Sequence, residues 1–493
     1  MALNLIRNAR AFFTTNVNAT TGVIAEATNA TTGNTFELQV LDGFSFSQNT
    51  NNETVSINEA GTTPQRGQRS FNTSLAPVDF SFSTYIRPYY STNVKCEESV
   101  LWNALLGSDA VNTQVTFAGT ISTGTYTAST GTLAISGTGM TVLTAGTRVL
   151  ITGITSTVAG DVRIVNGPAT VTGTPSATSV SFLMHNQVNT TSDTPAGTTG
   201  TLTVSGIKLY SSAWGEAPNS SIAAGHRSNT NQLQKFGMVV IVDSVTYLID
   251  NCALNQATID FGLDGIATVQ WTGQATALRQ LATNATAANG SFGGGLGGSY
   301  TPKNTGAGFI TNKLSTCKLK AAKALTGVTN GTGYYLALTG GSITINNNIS
   351  YITPAILGVV NQAATYYTGA RSVTGTLNAY LNTGSLTGQG VTLDGVTYTK
   401  GTGELLKDLL GAASTETEPM FYIELAVGGV GNALRVELQM PSVSVGIPSI
   451  NTEQVVSTAI NFTAAPSSGA YASRTYDLTE TNELTVRYYA PAA

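Results

Sequence analysis

The sequence predicts an all-β protein that uses one strand pattern twice, with a further β module set into the first copy. Three observations predict it. Charged residues make up only 10% of the 493 positions, against roughly 25% in ordinary soluble proteins; Thr, Ser, Asn and Gly stand in their place. Runs such as Phe80-Ser81-Phe82-Ser83-Thr84-Tyr85-Ile86 alternate apolar and polar side chains, the signature of a strand with one buried face. The same succession of segments then returns further along the chain, as in proteins assembled from structural repeats.

Phe12-Phe13-Thr14 is echoed by Phe309-Ile310-Thr311, Gly43-Phe44-Ser45-Phe46-Ser47 by Ser342-Ile343-Thr344-Ile345-Asn346, and Ser83-Thr84-Tyr85-Ile86 by Asn378-Ala379-Tyr380-Leu381, each about 300 residues on. The helix-like Leu101-Trp102-Asn103-Ala104-Leu105-Leu106-Gly107 returns as Leu405-Leu406-Lys407-Asp408-Leu409-Leu410-Gly411 at a similar spacing. Beyond it the spacing falls to about 190, with Tyr247-Leu248-Ile249-Asp250 answering to Leu434-Arg435-Val436-Glu437 and Val269-Gln270-Trp271-Thr272 to Ile460-Asn461-Phe462-Thr463. The drop assigns about 117 extra residues to the first copy, between Gly107 and Tyr247.

In order, the first copy should open with a strand over 10–17, followed by strands at Phe36-Glu37-Leu38-Gln39-Val40-Leu41, Phe44-Ser45-Phe46-Ser47 and Glu53-Thr54-Val55-Ser56-Ile57. A polar loop, Gly61-Thr62-Thr63-Pro64-Gln65-Arg66-Gly67-Gln68-Arg69, precedes the strand at 80–86. Residues 99–106 read as a short amphipathic helix stopped by Gly107. From 113 to 206 charge almost vanishes and short strands alternate with Gly/Thr turns, which suggests an inserted Ig-like β-sandwich. Such an insertion leaves and returns through neighbouring points. The first copy resumes with strands at 236–242, 245–249 and 265–272, and a Gly/Ala/Asn-rich stretch at 282–298 reads as a flexible linker. The second copy has its own small insertion at 383–402, around the hairpin-like Leu393-Asp394-Gly395-Val396. The expected organisation is therefore a discontinuous first domain (1–112 and 207–284), the inserted module (113–206), a linker (285–300) and a second domain (301–493).

Composition excludes several function classes. No run of 18 apolar residues is present, so no membrane-spanning helix is expected. Met1-Ala2-Leu3-Asn4-Leu5-Ile6-Arg7 lacks the apolar core of a secretion signal, so triplets such as Asn18-Ala19-Thr20 should stay unglycosylated. A net charge of −4 without a basic run argues against gripping nucleic acid through its phosphates. Cys96, Cys252 and Cys317 show no metal-ligand spacing and read as buried free thiols. The two histidines, His185 and His226, lie near no Cys, Asp or Glu at ligand spacing. No nucleophile elbow or phosphate loop is present; Gly293-Gly294-Gly295-Leu296-Gly297-Gly298 lacks the following Lys-Ser/Thr. The expectation is a non-enzymatic protein without metal or cofactor. Its charge-poor surface suits a subunit covered by other subunits.

Several runs resemble the tail tube (major tail) proteins of tailed bacteriophages. They are Leu41-Asp42-Gly43-Phe44-Ser45-Phe46-Ser47, Asn58-Glu59-Ala60-Gly61, Arg66-Gly67-Gln68-Arg69-Ser70-Phe71-Asn72-Thr73 and Val78-Asp79-Phe80-Ser81-Phe82-Ser83-Thr84-Tyr85-Ile86-Arg87-Pro88. Ile259-Asp260-Phe261-Gly262-Leu263-Asp264-Gly265-Ile266-Ala267-Thr268-Val269-Gln270-Trp271-Thr272-Gly273 joins them, so the resemblance covers most of the first copy outside the insertion. It implies β-sandwich or barrel-like domains with a flanking helix, joined edge to edge around a channel in stacked rings. Two tandem domains per chain then suggest a trimeric ring with pseudo-sixfold symmetry. Partners implied are the chain itself and other tail proteins (tape measure, baseplate or tip, terminator, sheath). DNA passes through without specific binding. The location implied is the virion tail, assembled in the host cytoplasm.

A lumen that passes DNA should be neutral to acidic. Asp250, Asp260, Glu424 and Glu437, all on expected strands, are the candidate lumen-facing carboxylates. The loop over 58–73, with Arg66, Gln68 and Arg69, is the candidate contact between rings. The inserted module is expected on the outside of the tube or against a sheath. A β-rich tail fibre or adhesin is the rival reading, and a capsid or decoration protein a third.

Overall fold

The fold comes from a computed structural model describing residues 9–489, apart from 19–20, 26–33, 42, 57–67, 90–94, 97, 107–108, 111–116, 128–131, 139–147, 153, 155–166, 185–200, 207, 212–232, 234, 304–308, 322–327, 329–331, 358–359, 383–390, 394–395, 399, 414–419, 429–434, 452–454 and 466–482. The protein is mainly β, with two short α-helices among the described residues. His185, His226 and Arg66 lie outside the described residues.

One antiparallel sheet runs through both halves of the chain. Its strands, in spatial order, are Ser45–Ser56, Gln68–Tyr85, Thr268–Ala275, Val245–Gly262, Ala337–Asn346, Ser372–Tyr380, Ser457–Ala464 and Arg435–Val445. The halves meet where Val245–Gly262 pairs with Ala337–Asn346, from Gln256 opposite Asn346 to Gly262 opposite Gly340. Alternation orients this sheet. Phe80, Phe82, Ile259, Trp271, Ile343 and Phe462 point to one side and are buried, while their Ser, Thr, Asn and Gln neighbours point to the other.

A second layer backs each half. In the first it comprises Thr35–Leu38, Ala9–Thr14, Phe236–Val242, the opening of Val245–Gly262, and Ala277–Gln280. In the second it comprises Gly333–Tyr335, Thr316–Ala321, Met420–Gly428, the opening of Arg435–Val445, and Thr485–Tyr489. The pairing order is the same in both halves, as the repeated segments predict. The first of those equivalences needs correcting. Phe309 and Ile310 lie outside any strand, and Thr316–Ala321 takes the place of Ala9–Thr14.

Apolar side chains from both layers form one core. Phe236 stacks on Phe13 at 4.5 Å and meets Phe80 edge-on at 6.5 Å. The expected helix, Ser99–Leu106, buries Leu101, Trp102, Ala104 and Leu105, and Trp102 packs edge-on against Trp271 at 4.8 Å. Its counterpart, Thr402–Ala413, buries Leu405, Leu409 and Ala412. The Glu404 carboxylate accepts from the Gly401 N–H at the start of this helix (2.8 Å), satisfying a donor that has no partner within the helix.

The stretch expected to be a flexible linker is built structure. Thr286–Ala288 and Ser291–Gly293 form a hairpin, and Phe292, Leu296 and Tyr300 are buried against Phe12. Arg10 lies over the Phe12 and Tyr300 rings and donates to the Tyr300 hydroxyl at 2.9 Å. Composition misleads here because three large apolar anchors among many glycines suffice to seat the segment on the second layer.

The inserted strands close into a barrel rather than two facing sheets. Around it run Phe117–Thr127, Thr132–Gly137, Ser179–Met184, Gly167–Thr172, Arg148–Thr152 and Thr201–Gly206, which returns to the first. Closure removes the free edges that two open sheets would present. Asp109–Ala110 before it pairs with Lys208–Ser211 after it, so the chain leaves and returns side by side. Lys208–Ser211 also pairs with Thr485–Tyr489, tying this stem to the second layer of the second half.

Candidate functional site: the polar face of the shared sheet

The outward face of the eight-stranded sheet is chemically uniform over its described residues. Along it stand Ser45, Ser81, Thr272, Thr258, Thr344, Thr376, Asn461 and Ser444 in successive strands, all exposed or half-buried. Each strand exposes the polar half of its alternation, so the face follows directly from burial of the other half. Direct cross-strand partners join hands over it. The Ser45 and Ser81 hydroxyls lie 2.8 Å apart, and Gln274 donates to Asp79 at 2.9 Å. The Thr376 hydroxyl donates to the side-chain Oδ1 of Asn461 at 2.8 Å. Across the junction of the halves, the Thr258 and Thr344 hydroxyls are 3.3 Å apart.

Outside the arm, which bears Glu53 and Arg69, the described residues of this face include no Lys, Arg or His, and its charged side chains there are Asp79 and Asp260. Both belong to the first half and both are exposed. Asp260 was expected from the sequence. Asp79 was missed, although the alternation Val78-Asp79-Phe80-Ser81-Phe82 already puts it opposite the buried phenylalanines.

Two other expected carboxylates are elsewhere. Asp250 is 1% exposed; it accepts from the Ile24 N–H at 2.8 Å and pairs with Arg279. Glu424 is 4% exposed; it pairs with Lys318 at 2.7 Å and accepts from the Tyr422 hydroxyl at 2.6 Å. Burial pushes the Glu424 carboxyl up, but Lys318, Tyr422 and Lys320 outweigh it and hold the group below the usual carboxylate range. Both residues sit in the second layers, where a strand charge survives only with a partner. Neither offers its charge to the polar face. Glu437 is in Arg435–Val445, opposite Ala426 and Arg487; its side chain lies outside the described residues.

The hairpins that leave the sheet differ between halves. In the first, Ser45–Ser56 and Gln68–Tyr85 continue as a two-stranded arm, exposed on both faces from Asn49 to Val55 and from Gln68 to Asn72. Gln68 and Arg69 are thus strand residues, opposite Ser56 and Val55, rather than part of a loop. In the second, the arm is interrupted at Asn347 and Asn348, the latter at φ 50°, a conformation asparagine tolerates. There Ile349–Ile352 and Thr365–Thr368 fold back onto the first half. The Tyr351 hydroxyl donates to the carbonyls of Asn251 (2.7 Å) and Gln274 (3.0 Å), and Tyr366 to that of Leu233 (3.2 Å).

Cys252 and Cys317 are buried and free, and the Cys96 side chain lies outside the described residues. Burial raises both thiols, reinforced by Asp250 for Cys252 and by Glu424 for Cys317, which is pushed up to about 12.

No family model matches the chain. The chain is 26% identical over 482 residues to tail tube protein pb6 of Escherichia phage T5, covering 95% of its own length and 74% of that protein's.

Proposed function

We infer that this chain is a structural tail tube protein of a tailed bacteriophage, and that its polar sheet face lines the conduit for the genome. The likeness to the T5 protein supports the tube role and does not favour the fibre or adhesin reading. The observation that carries the lining assignment is the face itself: continuous through both halves, hydroxyl- and amide-rich, and, outside the arm, with Asp79 and Asp260 as its only charges among the described residues. Phosphates passing such a wall meet no cation to hold them and are weakly repelled. The role is mechanical, with no catalytic step.

The junction inside the chain suggests how chains join. Residues 256–262 accept the second half's edge strand, and Ser45–Ser56, paired only with Gln68–Tyr85 among the described residues, leaves a matching edge open. That edge joins the end of Arg435–Val445 in a neighbouring chain, beyond Ser444, where Met420–Gly428 stops. Two equivalent halves per chain then give a closed ring of three chains with pseudo-sixfold symmetry. Native mass and image symmetry test this; six chains per ring would sink it.

The stem of the barrel pairs with a strand of the second layer, which supports a barrel that decorates the outside of the tube or meets a sheath. The arm bearing Gln68 and Arg69 contacts the adjoining ring. Tape measure, terminator and baseplate or tip proteins are the remaining partners, with assembly in the host cytoplasm and residence in the virion tail. Reversing Asp79→Lys together with Asp260→Lys should slow genome passage while tubes still form; unchanged infectivity would count against the lining assignment.

A further inference from the structure

Outside the arm, the described residues of the polar face include one aromatic side chain in each half. Gln68–Tyr85 ends on Tyr85, opposite Thr268, and Ser372–Tyr380 ends on Tyr380, opposite Ser457. Their registers are equivalent: four residues before each tyrosine, Ser81 lies opposite Ser45 and Thr376 opposite Ser342. Thr84 and Ala379 are buried, so alternation turns both tyrosines to the polar side.

The three face positions before them differ between halves, Asp79, Ser81 and Ser83 becoming Thr374, Thr376 and Asn378; the tyrosine alone is kept. Neither ring fills the core. Tyr380 is 46% exposed, and its side chain has no hydrogen-bond or ring partner among the described residues. Tyr85 is half-buried and meets the exposed Phe309 edge-on at 5.5 Å. Asp260 stands at the same level. Thr268 lies between it and Tyr85, opposite both, which sets the two positions about 10 Å apart. In the second half Asn451 takes that place, opposite Ser457.

We propose that Tyr85 and Tyr380 form a girdle inside the channel that holds a protein filament, one presenting apolar side chains flanked by Lys or Arg. The proposal rests on the tube reading and adds a binding level within its wall. A tyrosine ring offers a large, rigid, amphipathic surface at low entropic cost. A duplex gains little from it, because aromatic rings bind nucleic acid by stacking on unpaired bases. The duplex keeps its bases inside and turns its phosphates toward Asp260. The carboxylate that repels phosphate attracts a basic side chain. One wall thus retains a protein and releases a nucleic acid. The girdle recurs with every ring, so a matching filament repeats its apolar and basic cluster at the ring spacing.

Genome-free tails assembled from full-length chains test this. With Tyr380→benzoylphenylalanine, irradiation should join the chain to a different protein of the same purified tails. Tails carrying Tyr85→Ser with Tyr380→Ser should lose the central density seen by electron microscopy in unaltered tails, while Tyr85→Phe with Tyr380→Phe should keep it. Retention should fall as salt rises, and Asp260→Asn should remove that dependence. Cross-links confined to other copies of this chain or to nucleic acid, or central density unchanged in the serine variant, would overturn the inference and leave the tube reading standing. Retention indifferent to Asp260→Asn would overturn its basic component. Absence of tubes from the unaltered protein would instead overturn the tube reading. Tyr380→Ser alone, at a side chain without a partner in the fold, gives the same readout should the double variant fail to assemble.

Discussion

The two halves keep the same sheet order and differ in almost everything attached to it. The first has an extended arm, a barrel on a stem, and both aspartates of the polar face. The second has an arm folded back onto its neighbour and a face without charge among the described residues. The folded arm shows what each half contributes to the join. Tyr351 and Tyr366 cap carbonyls of the first half, while the described part of the first half's own arm is exposed on both faces. The two halves keep the pairing order of the shared sheet and let their hairpins diverge.

The buried ion pairs give the largest expected contrast. Lys318→Met leaves Glu424 charged, buried and unpaired in the second half, and should cost about 3–5 kcal/mol in denaturant unfolding. Arg279→Met in the first half should cost less, because Arg279 is 34% exposed and water reaches the site once it is gone. Equal losses would show that the two pairs are equally desolvated, against their geometry.

Next comes the junction. A Cβ on Gly341 would stand 2.3 Å from the Thr376 carbonyl oxygen and 2.8 Å from Phe261 Cζ, whose ring lies over the glycine across the joint between halves. Gly341→Val should destabilise by roughly 1–3 kcal/mol through overpacking and increase protease cleavage between the halves. An unchanged melting temperature would mean that the joint tolerates expansion.

The smallest effect is set by pH. In the unfolded chain the thiols ionise from the ordinary value of 9.0, whereas in the folded chain Cys252 and Cys317 hold their protons higher. Their contribution to stability is therefore complete below about pH 9 and is lost as pH rises toward the folded values. Cys317→Ala should flatten that alkaline slope, and thiol reagents should label both sites only on unfolding. Rapid labelling of the native protein would contradict the burial.

The strands, both helices and the repeat were legible because alternation and spacing depend on local burial, which recurs in both halves. Asp250 and Glu424 were misplaced for a different reason. A carboxylate on a strand shows its face only once its layer is known, and nothing local announces that Arg279 and Lys318 wait across the sheet. Phe309-Ile310-Thr311 matched Phe12-Phe13-Thr14 in rhythm alone, and the true counterpart, Thr316–Ala321, carries Lys318 and Lys320 on the side turned away from the shared core, where the first half has Arg10 and Phe12. Closure of the inserted strands into a barrel depends on the pairing of Phe117–Thr127 with Thr201–Gly206, a long-range contact that periodicity cannot report.

The stem beneath that barrel has a consequence for tolerance to change. Asp109–Ala110 and Lys208–Ser211 are hydrogen-bonded to each other, so the ends of the inserted segment are already held together. Lengthening, shortening or replacing what lies between them adds little closure entropy and leaves the wall's register untouched. The position works as a socket, repeated at a fixed spacing wherever the chain assembles, into which a different folded domain can be fitted without redesigning the conduit.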